Sequence, residues 1–292
     1  MSTGGGCFNP KPEEIEALQA RFRLSYHLPY LSIADQLVGL AGKDVLEVGG
    51  SLPAELVVGI LGVRSWVAVE TMNYWDIVLS TGARPDANHP RPAVRLVAAT
   101  QETIACPHIV LEGVVEELPP VLENSFDVAV SFACFEHIHE LPAALLAIYR
   151  ALRPGGVLFA MFSPIWSAHD GHHLPEIKDK SGARFYFKSS PIPPWGHLLL
   201  RPPAMVQFLK GKTDTETAHK LTYYIYQAQN INRLYTEDYV NFVRQSPFLI
   251  ERMEGTFLTP VPKTVQADLE RLYPGRQQFS NNGLRLILRK SG

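Results

Sequence analysis

The stretch Asp44-Val45-Leu46-Glu47-Val48-Gly49-Gly50-Ser51 carries the strongest fold signal in this chain. Its first residues are mostly apolar, which predicts a buried strand, and the glycine pair that follows predicts a tight turn. A helical pattern begins directly after the turn, near Pro53. A strand, a glycine turn and a helix in this order are typical of the first unit of a parallel α/β sheet.

Further apolar runs extend this pattern along the chain, over residues 65–69, 109–111, 126–132 and 157–162. A helical pattern over residues 140–152 ends at Arg153-Pro154-Gly155-Gly156, which combines a cation, a proline and a glycine turn. Strands that alternate with helices predict a doubly wound, Rossmann-like α/β sheet that is mostly parallel and has helices on both faces.

Departures from this alternation divide the chain. Residues 1–41 contain two short amphipathic helices joined at His27-Leu28-Pro29, and we expect them to form an N-terminal helical lid. Residues 42–162 form the core, and residues 163–235, which lack a clean period, are expected to form an inserted substrate cap. Residues 236–292 return to the core sheet with a helix over 236–244 and two strands, 249–253 and 283–288, that form an antiparallel edge.

Composition excludes several classes of protein. Lys and Arg number 27 against 29 Asp and Glu, for a net charge of −2, which argues against a nucleic-acid binder or a polybasic membrane binder. A hydrophobic fraction of 46% supports a large folded core rather than disorder. Cys7, Cys106 and Cys134 are too far apart for a disulfide framework, and no apolar run is long enough for a membrane span, so we expect a cytoplasmic protein. The sequence leaves a homodimer open.

An acidic residue about twenty positions after the glycine turn indicates that the turn binds a ligand. Glu70 ends the second predicted strand, where a carboxylate can accept two hydrogen bonds from a ribose diol. Glycines at Gly49 and Gly50 allow a ligand to approach the backbone, although a glycine pair also occurs in turns that bind nothing. Together these residues indicate a nucleoside-containing cofactor. A nicotinamide-dependent dehydrogenase is the weaker reading, because the full Gly-x-Gly-x-x-Gly pattern is missing.

An ordered set of motifs between residues 44 and 162 resembles the class I S-adenosylmethionine-dependent methyltransferases, close to the small-molecule group called type 11. The set consists of Asp44 to Gly50, Glu70, Glu116-Glu117-Leu118-Pro119, Ser125-Phe126-Asp127-Val128, Phe135-Glu136-His137-Ile138 and Ala151 to Gly156. The resemblance implies S-adenosyl-L-methionine as the cofactor and methyl transfer as the reaction.

The resemblance also implies roles for individual residues. Glu47 and the turn residues Gly49, Gly50 and Ser51 would hold the methionine part of the cofactor. Glu70 would bind the ribose hydroxyls. The backbone of Val115 and Glu116 would contact the adenine, and Ser131 and Phe132 would border the sulfonium.

Two positions depart from the family pattern. The turn reads Gly-Gly-Ser where Gly-x-Gly-x-Gly is common, and Val114 stands where an adenine-binding aspartate is common. The first departure leaves backbone contacts to the cofactor available. The second lowers the expected affinity or moves the adenine contact to Glu112 or Glu116.

Histidines supply the candidate catalytic groups. His137 follows the fourth strand, and an imidazole with a pKa near neutrality can take a proton from a hydroxyl or an amine, although a structural histidine is the competing interpretation. His169-Asp170-Gly171-His172-His173 lies just after the fifth strand, and we select His173 from it as a second base. The same run could hold a divalent metal or could simply close the pocket, and because its spacing matches no standard zinc pattern we assign no metal.

Aromatic residues dominate the predicted cap. Most of them are expected to build a small core of their own. For substrate contact we select Tyr26, Trp166, His169, Trp195 and His197. Such a site suits a small aromatic or apolar acceptor, as in secondary metabolism. The sequence thus predicts methyl transfer to an oxygen or nitrogen atom of that acceptor by in-line displacement with histidine-assisted deprotonation. The alternative is a protein of the same fold that binds the cofactor without methyl transfer, as a partner or with a cyclase-like role.

Overall fold

The computed structural model describes residues 8, 10–50, 52–71, 96–97 and 105–292. Within these ranges the main sheet has eight strands in the order β3-β4-β2-β1-β5-β6-β10-β9. A separate pair, β7 and β8, forms a hairpin in the cap region. The strands are β1 (Asp44–Val48), β2 (Ser65–Glu70), β3 (Leu96–Val97), β4 (His108–Glu112), β5 (Phe126–Phe132), β6 (Leu152–Phe162), β7 (Ile177–Lys178), β8 (Arg184–Phe185), β9 (Leu249–Thr256) and β10 (Gly283–Arg289).

The predicted fold class is confirmed. Strands β1 to β6 pair in parallel, whereas β10 runs antiparallel to both of its neighbours, β6 and β9. The antiparallel strand therefore lies one position in from the edge, and β9 forms the edge itself. Because the chain leaves β1 toward β2 and later returns to β5 on its other side, the strand order reverses at β1. In open α/β sheets ligands bind beyond the carboxyl ends of the strands at such a reversal.

Helices flank the sheet. The two N-terminal helices and the helix after β5 were predicted, although Pro29 lies inside the second helix, so that the joint falls earlier, at residues 23–26. The helix after the glycine turn is a π-helical segment, Glu55–Ile60. The α-helices are α1 (Pro12–Phe22), α2 (His27–Val38), α3 (Leu141–Ala151), α4 (Gly196–Leu199), α5 (Pro202–Lys210), α6 (Thr215–Tyr226), α7 (Thr236–Gln245) and α8 (Lys263–Leu272).

Three hydrophobic clusters stabilise the molecule. One lies on each face of the sheet, and alternate residues of β1 supply both: Leu46 packs on one face and Val45 on the other. The third cluster fills the cap and contains Trp166, Trp195 and Leu221. It also contains Leu269 of α8 and Phe279, so the segment between β9 and β10 packs with the cap. Across the described residues, no helix is long and apolar enough to cross a membrane.

Candidate active site

The carboxyl ends of β1, β2 and β5 meet at one edge of the sheet. Gly49 donates its N–H to the carbonyl of Val69 at 3.0 Å, which fixes the glycine turn against the end of β2. From the other side, the buried hydroxyl of Ser131 in β5 donates to the carbonyl of Val48 at 3.1 Å. These bonds hold the last residues of the three strands in register, so the predicted cofactor residues on them lie side by side.

The glycine turn has no room for side chains. Gly49 has a φ of +71°, and a Cβ there would lie 2.0 Å from the Sγ of Cys134. A Cβ at Gly50 would lie 2.3 Å from Oε1 of Glu47. The two glycines therefore leave backbone uncovered beside a carboxylate, which is the arrangement that a close-approaching ligand needs. The third residue of the turn, Ser51, lies outside the described residues.

Glu47 is a buried carboxyl at this turn. Its Oε2 accepts hydrogen bonds from the N–H of Leu52 at 3.0 Å and from Nε1 of Trp66 at 2.7 Å. Burial raises the pKa of Glu47 to about 7, although both hydrogen bonds oppose the shift. Because both of these bonds use Oε2, Oε1 is the oxygen that faces Gly50. A cationic or hydrogen-bond-donating ligand would stabilise the charged form of this carboxyl.

Glu70 is the second carboxyl of the edge. It ends β2, one strand away from Glu47, and accepts a hydrogen bond from the N–H of Thr71 at 2.9 Å. Burial raises the pKa of Glu70 to about 7, and repulsion from Glu47 adds to the shift. A ribose diol would supply the hydrogen-bond donors that a desolvated carboxylate requires. The residues therefore fit an adenosyl cofactor.

The remaining predicted cofactor residues lie around Cys134, just past β5. Val115 is buried and Glu116 half-buried in a 3₁₀ turn, Val115–Glu117, and Phe132 is buried at the end of β5. Burial raises the pKa of Cys134 well above its usual value, and the carboxylates of Glu70, Glu136 and Glu116 add to the effect. These carboxylates therefore surround the thiol, which stays neutral and is a poor nucleophile.

A second polar cluster lies one turn further along the chain. Glu136, His137 and His173 each offer a carboxylate oxygen or ring nitrogen, and these atoms all lie within 4.8 Å of one another. The rings of His137 and His173 meet edge to face with centroids 5.2 Å apart. The two histidines predicted as catalytic are thus brought together, although they are far apart in the sequence.

Glu136 is fully buried, and neither carboxylate oxygen has a well-formed hydrogen bond to any described residue. Burial raises its pKa to about 8, and the nearby backbone N–H groups of Glu136 and Ser163 oppose the shift only in part. In the sequence, Glu136 belongs to one of the motifs that resemble the methyltransferases, but no role was predicted for it. That no well-formed hydrogen bond reaches this carboxyl becomes visible only in three dimensions.

His137 is bonded to the cap. Its Nδ1 lies 2.5 Å from the carbonyl of Asn230, so Nδ1 carries the proton and the lone pair is on Nε2. Burial lowers the pKa of His137 to about 4 and lowers the pKa of His173 well below its usual value. Both rings are therefore neutral at pH 7. The side chain of Asn230 also donates to the carbonyl of His173 at 2.9 Å.

Asn230 and Asn232 were missed by sequence reasoning. Asn232 donates its side-chain N–H groups to the carbonyls of Phe135 and Ile138 at 2.7 and 2.8 Å. Its own N–H donates to the carbonyl of Glu136 at 2.8 Å. The two asparagines thus bind the cap to the loop that carries Glu136 and His137. The pattern Asn230-Ile231-Asn232 is the only trace of this role in the sequence, because its partners are distant along the chain.

The residues predicted to contact substrate occupy different environments. Trp195 is buried and donates Nε1 to the carbonyl of Phe279 at 3.0 Å, and Nε2 of the buried His197 lies 2.8 Å from the carbonyl of the buried Trp166. His169 lines a cavity of about 290 Å³. Tyr26 stacks on His27 at 4.2 Å, at the start of α2. Substrate contact by these residues stays a prediction.

Comparison with known proteins supports the resemblance. Residues 74–160 match the family model Methyltransf_11, described as a methyltransferase domain. The matched range contains β4, β5, α3 and nearly all of β6, whereas Glu47, Gly49, Gly50 and Glu70 precede it. No curated protein matches the chain.

Solved structures with similar folds include three methyltransferases. An S-adenosylmethionine-dependent methyltransferase of Mesorhizobium loti is 15% identical, with 91% of this chain and 98% of that chain covered and a TM-score of 0.43. A "possible histamine N-methyltransferase" of Thermotoga maritima is 17% identical over 96% and 95%, with a TM-score of 0.42. Phosphoethanolamine N-methyltransferase 2 of Haemonchus contortus, solved with S-adenosyl-L-methionine, is 14% identical over 90% and 52%, with a TM-score of 0.43. The match to a methyltransferase-domain model and the strand order both agree with the resemblance found in the sequence.

Proposed function

We propose that the chain is a class I S-adenosylmethionine-dependent methyltransferase that methylates an oxygen or nitrogen atom of a small acceptor, and the strand order and the methyltransferase-domain match over residues 74–160 support this proposal. The observation that carries this proposal is the position of Glu136, His137 and His173. The three side chains lie close together just past the carboxyl end of β5. Strand β5 pairs with β1, the strand that leads into the glycine turn. A cluster of polar groups in that place suits an acceptor that must lose a proton.

The cofactor end of the site consists of the glycine turn and the two carboxyls. In the proposal Glu47, Gly49, Gly50 and Ser51 hold the methionine part, and Glu70 binds the ribose hydroxyls. The backbone of Val115 and Glu116 contacts the adenine, and Ser131 and Phe132 border the sulfonium. When bound, the cofactor supplies a methyl group on a cationic sulfur, and the raised pKa values of Glu47 and Glu70 fit carboxyls that ionise beside such a cation.

The reaction is a single displacement. A cofactor held by Glu47, Gly49 and Glu70 would supply an activated methyl group, and these residues would keep it in line with the acceptor oxygen or nitrogen. The acceptor proton leaves toward His137 or His173, whose rings are neutral, although burial lowers both pKa values and makes the rings weaker bases than a free imidazole. The main task of the protein is alignment, because the leaving group is already activated.

An aromatic or apolar acceptor is supported by the surroundings of His173. Its ring stacks on Phe187 with centroids 6.1 Å apart, and Phe187 lines the 290 Å³ cavity together with His169. Tyr26 and Tyr30 form a second aromatic pair on α2, with ring centroids 5.6 Å apart. The rest of the cavity lining is mostly polar and includes Asp170, Lys188 and Ser190, so the cavity offers one aromatic ring beside several polar groups to a small ligand.

The second candidate function is cofactor binding without methyl transfer. The Gly-Gly-Ser turn and Val114 favour it, because both depart from the usual cofactor pattern. We also propose that the chain forms a homodimer, whichever of the two functions it has. Light scattering of the purified protein would test this.

The variant His173→Ala tests the catalytic proposal and separates the two functions. We expect S-adenosylmethionine to bind this variant with nearly unchanged affinity, while kcat for a methylated acceptor falls by roughly 10²- to 10⁴-fold, the usual contribution of a base. The measurements are calorimetric titration with the cofactor and release of S-adenosylhomocysteine during an acceptor screen. Loss of cofactor binding in His173→Ala would contradict the placement of this residue on the acceptor side. A wild-type chain that binds the cofactor but methylates no oxygen or nitrogen acceptor would favour the second candidate.

A further inference from the structure

We infer that Glu136, His137 and His173 form a binding site for one divalent cation of the zinc class, which joins the cap to the core. The site goes beyond methyl transfer, and its occupancy can be measured without any reaction. This site is not the one considered from the sequence, where the candidate ligands lay in residues 169–173. Of that segment, only His173 is a ligand here. The other two ligands come from the loop after β5.

The donor set is the first argument. Two imidazole nitrogens and one carboxylate oxygen form a common ligand set for zinc, and they also bind other first-row divalent metals better than magnesium or calcium. In a tetrahedral site with bonds of about 2.0–2.1 Å, the ligand atoms lie roughly 3.4 Å apart. The three donor atoms already lie within 4.8 Å of one another. Small side-chain rotations are enough to close the site.

Burial is the second and independent argument. Glu136 is 0% exposed, and neither of its oxygens has a well-formed hydrogen bond to a described residue. Among the same residues, Nδ1 of His173 is also buried without a partner. Buried polar groups are normally satisfied, so a buried carboxyl that has no well-formed hydrogen bond and lies beside two histidines suits a ligand of positive charge.

The surroundings of the ligands support coordination. The hydrogen bond between Nδ1 of His137 and the carbonyl of Asn230 fixes the ring and leaves the lone pair on Nε2, as in the outer shell of many metal sites. Asn230 also holds the backbone of His173, which has a φ of +44°. A histidine in this left-handed region is strained, and such strain persists at sites where it positions a side chain.

The site spans two parts of the fold. His137 belongs to the loop after β5, whereas His173 and Asn230 belong to the cap, so a bound cation would tie these parts together. Three protein ligands leave one tetrahedral position for a water or for the donor atom of an acceptor. Only this last role rests on the proposed function. In the ion-loaded protein His137 and His173 are ligands and not bases, whereas in the ion-free protein their rings remain available to the acceptor proton.

The test begins with chelator-treated wild-type protein titrated with Zn²⁺ and, separately, with Mg²⁺. We expect one Zn²⁺ per chain with a dissociation constant below about 1 μM, no comparable binding of Mg²⁺, and a higher Tm for the zinc-loaded protein. Substitution with Co²⁺ should give the visible absorption of a tetrahedral ion. The absence of stoichiometric zinc binding to the wild-type chain would overturn the inference.

Three variants locate the ion. His137→Ala, His173→Ala and the nearly isosteric Glu136→Gln should each weaken zinc binding by at least tenfold and abolish the zinc-dependent rise in Tm. His139→Gln is the matched control, because His139 is an exposed histidine two residues from His137, and its zinc affinity should equal that of the wild type. Far-UV circular dichroism checks that each variant folds. Unchanged zinc affinity in a folded His173→Ala or Glu136→Gln would place the ion elsewhere and contradict the inference.

Titration with S-adenosylmethionine keeps the two proposals apart. A wild-type chain that binds S-adenosylmethionine but not zinc would contradict the cation site and would leave the proposed function standing. Zinc bound at this site in a chain that never methylates an acceptor would leave the cation site standing and would contradict the proposed function.

Discussion

At the scale of single residues, the glycine turn and the carboxyls beside it define the cofactor end of the site. Gly49 is required for two reasons, a positive φ of +71° and the contact that a Cβ would make with Cys134. Gly62 has a similar φ of +73°, but there a Cβ would meet nothing within 4 Å. The two positions therefore separate backbone strain from steric exclusion.

We predict that Gly62→Ala lowers the free energy of unfolding by about 1–2 kcal/mol and leaves cofactor affinity unchanged. Gly49→Ala should cost more stability, because the same strain is joined by the clash with Cys134, and it should weaken S-adenosylmethionine binding at least tenfold. Urea unfolding and calorimetric titration measure the two effects. If both variants lost the same unfolding free energy and the same cofactor affinity, the clash with Cys134 would contribute to neither.

The raised pKa of Glu70 predicts a pH dependence of cofactor binding. Burial holds this pKa at about 7, so the carboxyl is mostly protonated at pH 6 and mostly charged at pH 8. A charged carboxylate is the better acceptor for ribose hydroxyls and the better partner for a cation. The dissociation constant for S-adenosylmethionine should therefore rise roughly tenfold from pH 8 to pH 6. Glu70→Gln should reduce the slope of this profile, and Glu47, whose pKa is also raised to about 7, accounts for the slope that remains. An unchanged slope in that variant would assign the whole effect to a group other than Glu70.

At the scale of elements, ion pairs fix the sheet at the edge opposite the site. Asp44 starts β1 and Asp127 lies at the start of β5, and Arg153 donates to both at 2.8 Å. Arg64, just before β2, also donates to Asp127 at 3.0 Å. The amino ends of four strands, β1, β2, β5 and β6, are thus joined, because Arg153 itself lies at the start of β6, and the site lies at the opposite, carboxyl ends.

The hydrogen bond from Arg64 lowers the pKa of Asp44 far below its usual range, against the effect of burial. For Asp127, burial acts in the opposite direction, but hydrogen bonds from the Asp44 N–H and from Arg153 outweigh it and lower the pKa. A lowered folded-state pKa stabilises the fold above the unfolded value of about 3.9, and this contribution is lost as the pH falls further.

Asp127→Asn should therefore cost about 1–2 kcal/mol of unfolding free energy at pH 7, since partly exposed pairs in a network contribute modestly. The cost should shrink at pH 3, which lies below the unfolded-state pKa of about 3.9, so that part of the contribution from the lowered folded-state pKa is already lost. Urea unfolding of both proteins at the two pH values measures the difference. An equal cost at pH 3 and pH 7 would mean that the charge of Asp127 does not stabilise the sheet.

The same elements show why the core was predictable and the rest was not. Strands β1, β2 and β5 are apolar runs bounded by turns. Because both faces of these strands are buried, their residues must be mostly apolar, and this local pattern is sufficient to predict the strands. Helix α8 was missed because it is short and mostly exposed on its polar side, within a link read as irregular. Strand β3 has two residues and offers no period to detect.

At the scale of the whole molecule, the cap and the core are joined by hydrogen bonds between residues far apart in the sequence. Asn232 binds the carbonyls of Phe135 and Ile138, and its Oδ1 accepts from the hydroxyl of Tyr239 at 2.9 Å. The sequence predicted His137 and His173 separately. Their meeting and the role of Glu136 depend on the path of the cap, which no local pattern determines.

We predict that Asn232→Ala destabilises the chain by about 2–4 kcal/mol, because it leaves two partly buried carbonyls and the Tyr239 hydroxyl without their partner. Tyr239→Phe removes only one of these bonds and should cost about 1 kcal/mol. Thermal or urea unfolding gives both values. Hydrogen exchange should show faster exchange in the cap for Asn232→Ala, and equal costs for the two variants would contradict this account of the junction.

The central claim, an adenosyl cofactor at the carboxyl ends of β1 and β2, is tested most directly by calorimetric titration of S-adenosylmethionine and S-adenosylhomocysteine into wild type, Glu70→Ala and Glu123→Ala. Glu123 is an exposed glutamate in the turn before β5, at the opposite edge of the sheet, and serves as the control. We predict one ligand per wild-type chain, unchanged affinity in Glu123→Ala, and affinity lower by roughly 10- to 100-fold in Glu70→Ala. A wild-type chain that binds neither ligand, or a Glu70→Ala variant that binds as tightly as Glu123→Ala, would contradict the claim.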